Sequence, residues 1–226
     1  MKITFFGHAC LQVEVGGKVL LVDPFITGNP KAAHINIAEL HPDYILLTHA
    51  HQDHTLDVET VLHYNPTAIL VSNAEIITHY NAKGFTGHMM NHGGNWLFDF
   101  GKLTYVTAIH SSSFPDGSYG GNPGGFVIEG EHKNIYIAGD TALTYDMKLI
   151  PLRTKLDLAI LPIGSNFTMD VDDALIASDF VECDKVLGMH YDTFGFIKIN
   201  HEEAIRQFFQ KGKDLMLLPI GDSIEL

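Results

Sequence analysis

The chain has 226 residues, of which 46% are hydrophobic and 18% charged, a composition that can bury a sizeable core and excludes a disordered chain. A formal charge of -13 excludes a general nucleic-acid surface, which needs clustered lysine and arginine. Two cysteines, Cys10 and Cys183, are too few for a disulfide framework, and neither a membrane-length apolar stretch nor an export signal is evident, so a cytoplasmic protein is expected.

In chain order, short apolar runs rich in Val, Ile, Phe and Tyr predict strands over residues 3–6, 11–15, 19–22, 44–47 and 68–71. After a break at Gly93-Gly94 the same kind of run returns at 103–109, 126–129, 134–138, 158–161, 186–189 and 215–218. Helices are predicted between strands, over 57–64, 74–82, 172–180 and 201–210. Gly16-Gly17 and Glu131-His132-Lys133 read as hairpin turns at corresponding places in the two halves. Hairpins followed by alternating strands and helices, seen twice, predict two similar half-domains packed sheet on sheet with helices outside. No linker separates them, so residues 1–226 are read as one domain.

The segment T-H-A-H-Q-D-H, residues 48–54, places His49, His51, Asp53 and His54 directly after the apolar run at 44–47. Imidazole nitrogen and carboxylate oxygen are ligands for Lewis-acidic divalent metals, and crowding them into one turn is unfavourable unless a cation orders them. If the chain is still extended through His49 and His51, both face one way and can share an ion. Asp53 and His54 are consecutive and diverge, with a helix expected to begin near Thr55; two metals follow naturally. His110, Asp140 and His190 each stand beyond a predicted strand, as do His8 and Asp23. Functional groups of layered α/β folds gather at the carboxyl ends of strands, so these residues are expected to share one site. Asp23 is read as an orienting hydrogen-bond acceptor for the metal loop. His8 is read either as a substrate contact or proton donor or as a packing residue, and His88 and His92 as loop residues that reach the pocket or do not. The remaining histidines, His34, His41, His63, His79, His132 and His201, are assigned to solvation or packing.

H-x-H-x-D-H at 49–54, followed by a lone His, a lone Asp and a last His, resembles the metallo-β-lactamase superfamily. The resemblance runs from L-L-V-D-P at 20–24 to the terminal strand ending near Ile220. G-H-A-C at 7–10, I-A-G-D-T at 137–141 and L-P-I-G-S-N-F-T-M at 161–169 are similar to a compact branch of metal-dependent hydrolases related to ascorbate-phosphate lactonase-like proteins. It implies an α/β fold of four layers, an αββα sandwich, and a dinuclear site. His49, His51 and His110 are implied as ligands of one metal, Asp53, His54 and His190 of the second, and Asp140 as the bridge. A carboxylate bridge, where many β-lactamases carry cysteine, argues against antibiotic hydrolysis and suits zinc or manganese, with iron or nickel also admissible.

Two such ions, about 3.5–4 Å apart, hold a bridging hydroxide and polarise an ester, lactone or phosphoryl oxygen. Asp53 is expected to orient the nucleophile and take up a proton. Ser111, Asn166, Phe167, Thr168, Tyr191, Asp192 and Thr193 are the candidate substrate contacts, and the Gly- and Ser-rich stretch 111–125 is expected to form pocket wall. The expected partner is a small molecule, with no nucleic acid or membrane and with homo-oligomerisation left open. Competing readings are a phosphodiesterase or nuclease of the same fold, a non-haem di-iron redox protein, and a metal-bearing binding module without turnover.

Overall fold

A computed structural model describes residues 1–226. The first half forms β1 (Lys2–Gly7), β2 (Cys10–Val15), β3 (Lys18–Val22), β4 (Tyr44–Leu46), α1 (Gln52–Thr55), α2 (Val58–Tyr64), β5 (Ile69–Asn73), α3 (Ala74–Ala82) and β6 (Gly87–Met90). The second forms β7 (Asn95–Phe98), β8 (Gly101–Thr107), β9 (Gly124–Gly130), β10 (Lys133–Ile137), β11 (Leu158–Pro162), α4 (Val171–Phe180), β12 (Lys185–Met189), α5 (His201–Gln210) and β13 (Asp214–Met216), and the chain ends in β14 (Ser223–Glu225). These strands build two seven-stranded sheets, ordered β14-β1-β2-β3-β4-β5-β6 and β13-β12-β11-β10-β9-β8-β7.

The internal duplication is visible in the pairing. β1-β2-β3 is antiparallel and β3-β4-β5-β6 parallel; β8-β9-β10 is antiparallel and β10-β11-β12-β13 parallel. Both hairpin turns fall as expected: Gly16 and Gly17 have φ of 60° and 71°, and Glu131 and His132 have φ of 54° and 62°. Positive φ at two consecutive residues is what a tight hairpin with the right twist needs, and the second turn accepts it without glycine.

Period-two alternation along the strands makes the layers. In β4, Tyr44 and Leu46 join a core of 42 buried residues with Ile3, Phe5, Val13, Val22, Leu103, Phe126 and Ile137, while Ile45 faces the other way. Ile45, Leu21 and Leu70 pack with Val61, Leu62, Ile76 and Ile77 of α2 and α3 in a second core of 18 residues. Truncating a side chain such as Leu46, fully buried between the sheets, costs about 2–5 kcal/mol. No helix is long and apolar enough to cross a membrane.

The fold differs from the sequence reading in three respects. The helix expected near Thr55 begins at Gln52, so Asp53 and His54 lie inside α1. Its amides bond back to His51, and Asp57 then breaks the run by donating its amide to Pro24 O at 3.1 Å. Strand β8 stops at Thr107, three residues before His110. Strands β6, β7 and β14 lie outside the predicted runs; β7 is a largely exposed edge strand, and β14 is defined only by its antiparallel pairing with β1.

Candidate metal centre

Each half contributes to the site from equivalent strand ends. β1 and β8 are followed by His8 and His110, and β3 and β10 by Asp23 and Asp140. His8, Asp23 and His190 have φ of 57°, 45° and 56°, a left-handed backbone that costs a non-glycine residue about 1–2 kcal/mol and turns the chain sharply as it leaves the sheet. Gly139, at φ 64°, lets the chain before Asp140 approach the metal loop, since a Cβ there would lie 2.8 Å from the Thr48 side chain.

The side chains converge in two groups. His49, His51 and His110 can each offer a ligand atom within 4.8 Å of the others, and so can His8, Asp53, His54 and His190. Asp140 stands between them. Its Oδ2 lies 3.9 Å from His49 Nε2 and 3.5 Å from His110 Nε2 on one side, and 3.4 Å from His54 Nε2 and 3.0 Å from His190 Nε2 on the other. Asp53 Oδ2 is 3.8 Å from His190 Nε2 and 3.9 Å from His54 Nε2. Ligands bound at about 2.1 Å to a tetrahedral metal are about 3.4 Å apart, so these separations suit donors sharing cations.

Unpaired donors make the stronger test of fit. Asp140 Oδ1 and His190 Nδ1 are buried without a hydrogen-bond partner, and His54 Nε2 and His190 Nε2 meet only the poorly aligned Asp140 Oδ2, a state that is unfavourable unless something binds them. Electrostatics point the same way. Burial opposes charge on His54, yet Asp140 and Asp23 hold its pKa well above the ordinary histidine range; His190, equally disfavoured by burial, is raised to about 9 by Asp140. Burial works against the Asp140 carboxylate too, but His190 and His54 hold its pKa well below the usual range. The carboxylates thus keep positive charge among them, and divalent cations meet the same demand.

The family model described as the beta-lactamase superfamily domain matches residues 2–190. A UPF0173 metal-dependent hydrolase of Flavobacterium johnsoniae is 76% identical over 226 residues, with both chains covered in full. The chain belongs to this family of metal-dependent hydrolases. A relative from Methylacidiphilum infernorum is 46% identical, again over the full length of both chains. Among solved structures, Igni18, a metallo hydrolase of the archaeon Ignicoccus hospitalis, superposes with a TM-score of 0.89 at 32% identity, covering 100% of this chain and 98% of its own.

In this hydrolase Asp23 occupies the orienting position expected of it. Its carboxylate accepts from Thr48 N at 2.8 Å, Thr48 Oγ1 at 2.6 Å and His54 Nδ1 at 2.8 Å. Thr48 Oγ1, having donated to Asp23, accepts from His49 Nδ1 at 3.0 Å. One carboxylate therefore holds the Nδ1–H of two imidazoles, directly in His54 and through Thr48 in His49, and turns both Nε2 atoms toward Asp140, the nitrogen a metal would take. Ser111 Oγ is 3.1 Å from His51 Nε2 and so orients His51 at the cavity rim.

His8, read either as a substrate contact or proton donor or as a packing residue, is buried and is not among the residues that line the cavity. Burial and the neighbouring His190 lower its pKa to about 4, so it is neutral. Its Nε2–H donates to Asp53 Oδ2 at 3.0 Å while Nδ1 accepts from Thr193 Oγ1 at 3.0 Å, and the ring packs 4.0 Å from that of His190. The hydrogen bond from His8 holds the Asp53 side chain in place.

A cavity of about 570 Å³ opens over the cluster, lined by His51, Asp53, His110, Ser111, Asp140 and His190 together with Phe167, Phe194, Gly195 and Phe196. Five expected substrate contacts fall elsewhere, Asp192 and Thr193 among them: Asp192 pairs with His201 and Thr193 bonds His8. Tyr191 is buried in the larger core, stacked 6.2 Å from Phe5, because the left-handed turn at His190 sends the next side chain inward. Asn166 and Thr168 flank Phe167 but leave the lining to it. Of the stretch 111–125 only Ser111 lines the cavity; Phe114 instead stacks 3.8 Å from His79 of α3. His88 packs between Trp96 and Phe98, and His92 bonds Pro123 O at 2.9 Å, so neither reaches the site. Phe194 and Phe196 escaped the sequence reading; the available signal was T-F-G-F, two aromatics around a glycine just beyond a ligand-bearing strand end.

Proposed function

We propose that the chain hydrolyses a small ester, lactone or phosphorylated metabolite at a dinuclear metal centre. His49, His51 and His110 would hold one divalent ion and Asp53, His54 and His190 the other, with Asp140 shared. Zinc or manganese suits this nitrogen and oxygen set, and iron or nickel would also be accepted. Such ions, when bound, lower the pKa of water to supply a nucleophile and act as Lewis acids toward the substrate oxygen. The observation that carries the reading is the position of Asp140 Oδ2, within 3.0–3.9 Å of imidazole nitrogens from both groups.

The protein's own part is orientation and proton handling. Asp53 keeps 27% of its side chain exposed at the cavity floor, which leaves one side free to align an attacking water and receive its proton. Burial disfavours the Asp53 anion, but His190 and His8 hold its pKa well below the usual carboxylate range, so it enters the reaction ionised. The free, buried thiols of Cys10 and Cys183 accord with a reducing, cytoplasmic setting.

The test is a screen of esters, lactones, thioesters and phosphodiesters with chelator-stripped protein and with protein reloaded with zinc or manganese. Hydrolysis that disappears on stripping and returns on reloading is expected, with precursor tRNA left intact and no oxygen consumed. Turnover that survives complete stripping, or fully loaded protein that cleaves nothing, would refute the proposal.

A further inference from the structure

We propose that the substrate presents an uncharged apolar acyl or alkyl portion to Phe167, Phe194 and Phe196, and that anionic or phosphorylated compounds are poor substrates. This rests on the hydrolase reading and narrows it. The three phenylalanines line the same cavity as Asp53, Asp140 and the ligand histidines, and their exposures are 51%, 36% and 78%. Large aromatic side chains left in water around one cavity mark a surface that waits for an apolar partner. They reach it from two different loops, one after β11 and one after β12, so the apolar wall is not the accident of a single segment.

No lysine or arginine is among the lining residues, whose only charged carboxylates are those of Asp53 and Asp140. With the lining histidines committed as ligands, a phosphate monoester held here would have no further side-chain cation to meet it. Nor does the Ser-rich stretch supply a substitute. Ser111 bonds His51, Ser112 Oγ donates to Gly120 O at 3.0 Å and accepts from Ala50 N at 3.2 Å, and Ser118 bonds Asp116. These three hydroxyls are committed within the protein, and Ser113 lies outside the lining.

The phenylalanine loops are built in advance. Ser165 and Asn166 have φ of 64° and 60°, and Ser165 N bonds Met169 O at 3.0 Å, closing the turn that carries Phe167. Asp192 N bonds Ile197 O at 2.7 Å, and the Asp192 carboxylate accepts from Ile199 N at 3.1 Å and pairs with His201 at 2.8 Å, closing the loop that carries Phe194 and Phe196. An apolar group entering the cavity meets rings that need little ordering, so its burial is expressed as binding.

The experiment uses p-nitrophenyl esters from acetyl to hexanoyl, and p-nitrophenyl phosphate, with metal-loaded protein. In parallel, calorimetry measures binding of the inert acetanilide and hexananilide to metal-free protein. The expected result is a rise in kcat/KM of about fourfold per added methylene, with p-nitrophenyl phosphate slower than every ester. The anilides should show the same gradient in Kd. Phe196→Ala and Phe167→Ala, at exposed positions that the fold does not depend on, should each flatten both gradients to about twofold per methylene or less, well below the full transfer value. Ester hydrolysis with no chain-length gradient, or faster turnover of the phosphate, would overturn this inference while leaving the hydrolase reading intact. A gradient in anilide binding without hydrolysis of any probe would overturn the hydrolase reading and leave apolar recognition standing.

Discussion

Replacing Asp23 with asparagine tests whether one buried carboxylate sets the tautomers of two ligands. Asp23 sits at φ 45°, a backbone that asparagine tolerates, so the exchange removes charge and acceptor capacity without adding strain. The carboxylate accepts three hydrogen bonds, two from Thr48 and one from His54, at 2.6–2.8 Å. An amide can accept some of these but must turn its NH₂ toward another donor. One lost charge-assisted bond in a buried site costs roughly 2 kcal/mol, which for a chain of this size lowers Tm by about 4–8 °C. The larger consequence is at the metal. With Nδ1 of His54 no longer obliged to keep its proton, Nε2 need not be the nitrogen that gives one up to the metal, and outer-sphere changes of this kind weaken metal binding about 10- to 100-fold, or about 1.4–2.7 kcal/mol. Competition against a chromophoric chelator measures this directly, with thermal unfolding of the metal-free protein as a control. An Asp23→Asn variant that binds metal as tightly as the wild type would refute the orienting role.

Four further outcomes are expected. Asp140→Asn should lower hydrolysis by more than the roughly 100-fold ceiling of outer-sphere changes, while the circular dichroism spectrum stays native; full activity would contradict a shared ligand. His8→Gln should reduce kcat about 10- to 100-fold and shift the acidic limb of the pH profile, because Asp53 loses its anchor; an unaltered pH profile would assign His8 to packing alone. Metal loading at neutral pH should release about two protons, from His54 and His190, so apparent affinity strengthens as pH rises toward 9, and calorimetry in buffers of different ionisation enthalpy reads the count. In the metal-free protein the raised pKa of His190 contributes stability that is fully present below about 6.5 and lost as pH rises through about 9; unfolding midpoints across that window should fall.

The candidate site is legible in the sequence because its chemistry is local: T-H-A-H-Q-D-H compresses residues of metal-ligand type that have little other reason to crowd behind a buried strand. The distant ligands share a repeated context, the end of a strand, which a duplicated fold imposes on His110, Asp140 and His190 alike. Orientation is what the sequence hides. Strand-end position says nothing about which way a neighbouring residue points, so Tyr191 reads as a cavity residue when the turn at His190 sends it into the core, and His8 reads two ways because its partner, Asp53, is 45 residues away. The start of α1 is hidden because His51, its N-cap, makes no side-chain capping bond of the kind Ser, Thr, Asp or Asn provide. β14 carries three residues and no periodicity of its own; only its long-range pairing with β1 defines it.

The central claim, two cations sharing Asp140, is tested most directly by anomalous diffraction from crystals of metal-loaded protein, collected above and below the absorption edge of the metal supplied. Two anomalous peaks are expected, one among His49, His51 and His110 and one among Asp53, His54 and His190, each within bonding reach of Asp140. A single peak, or none within reach of Asp140, would contradict it.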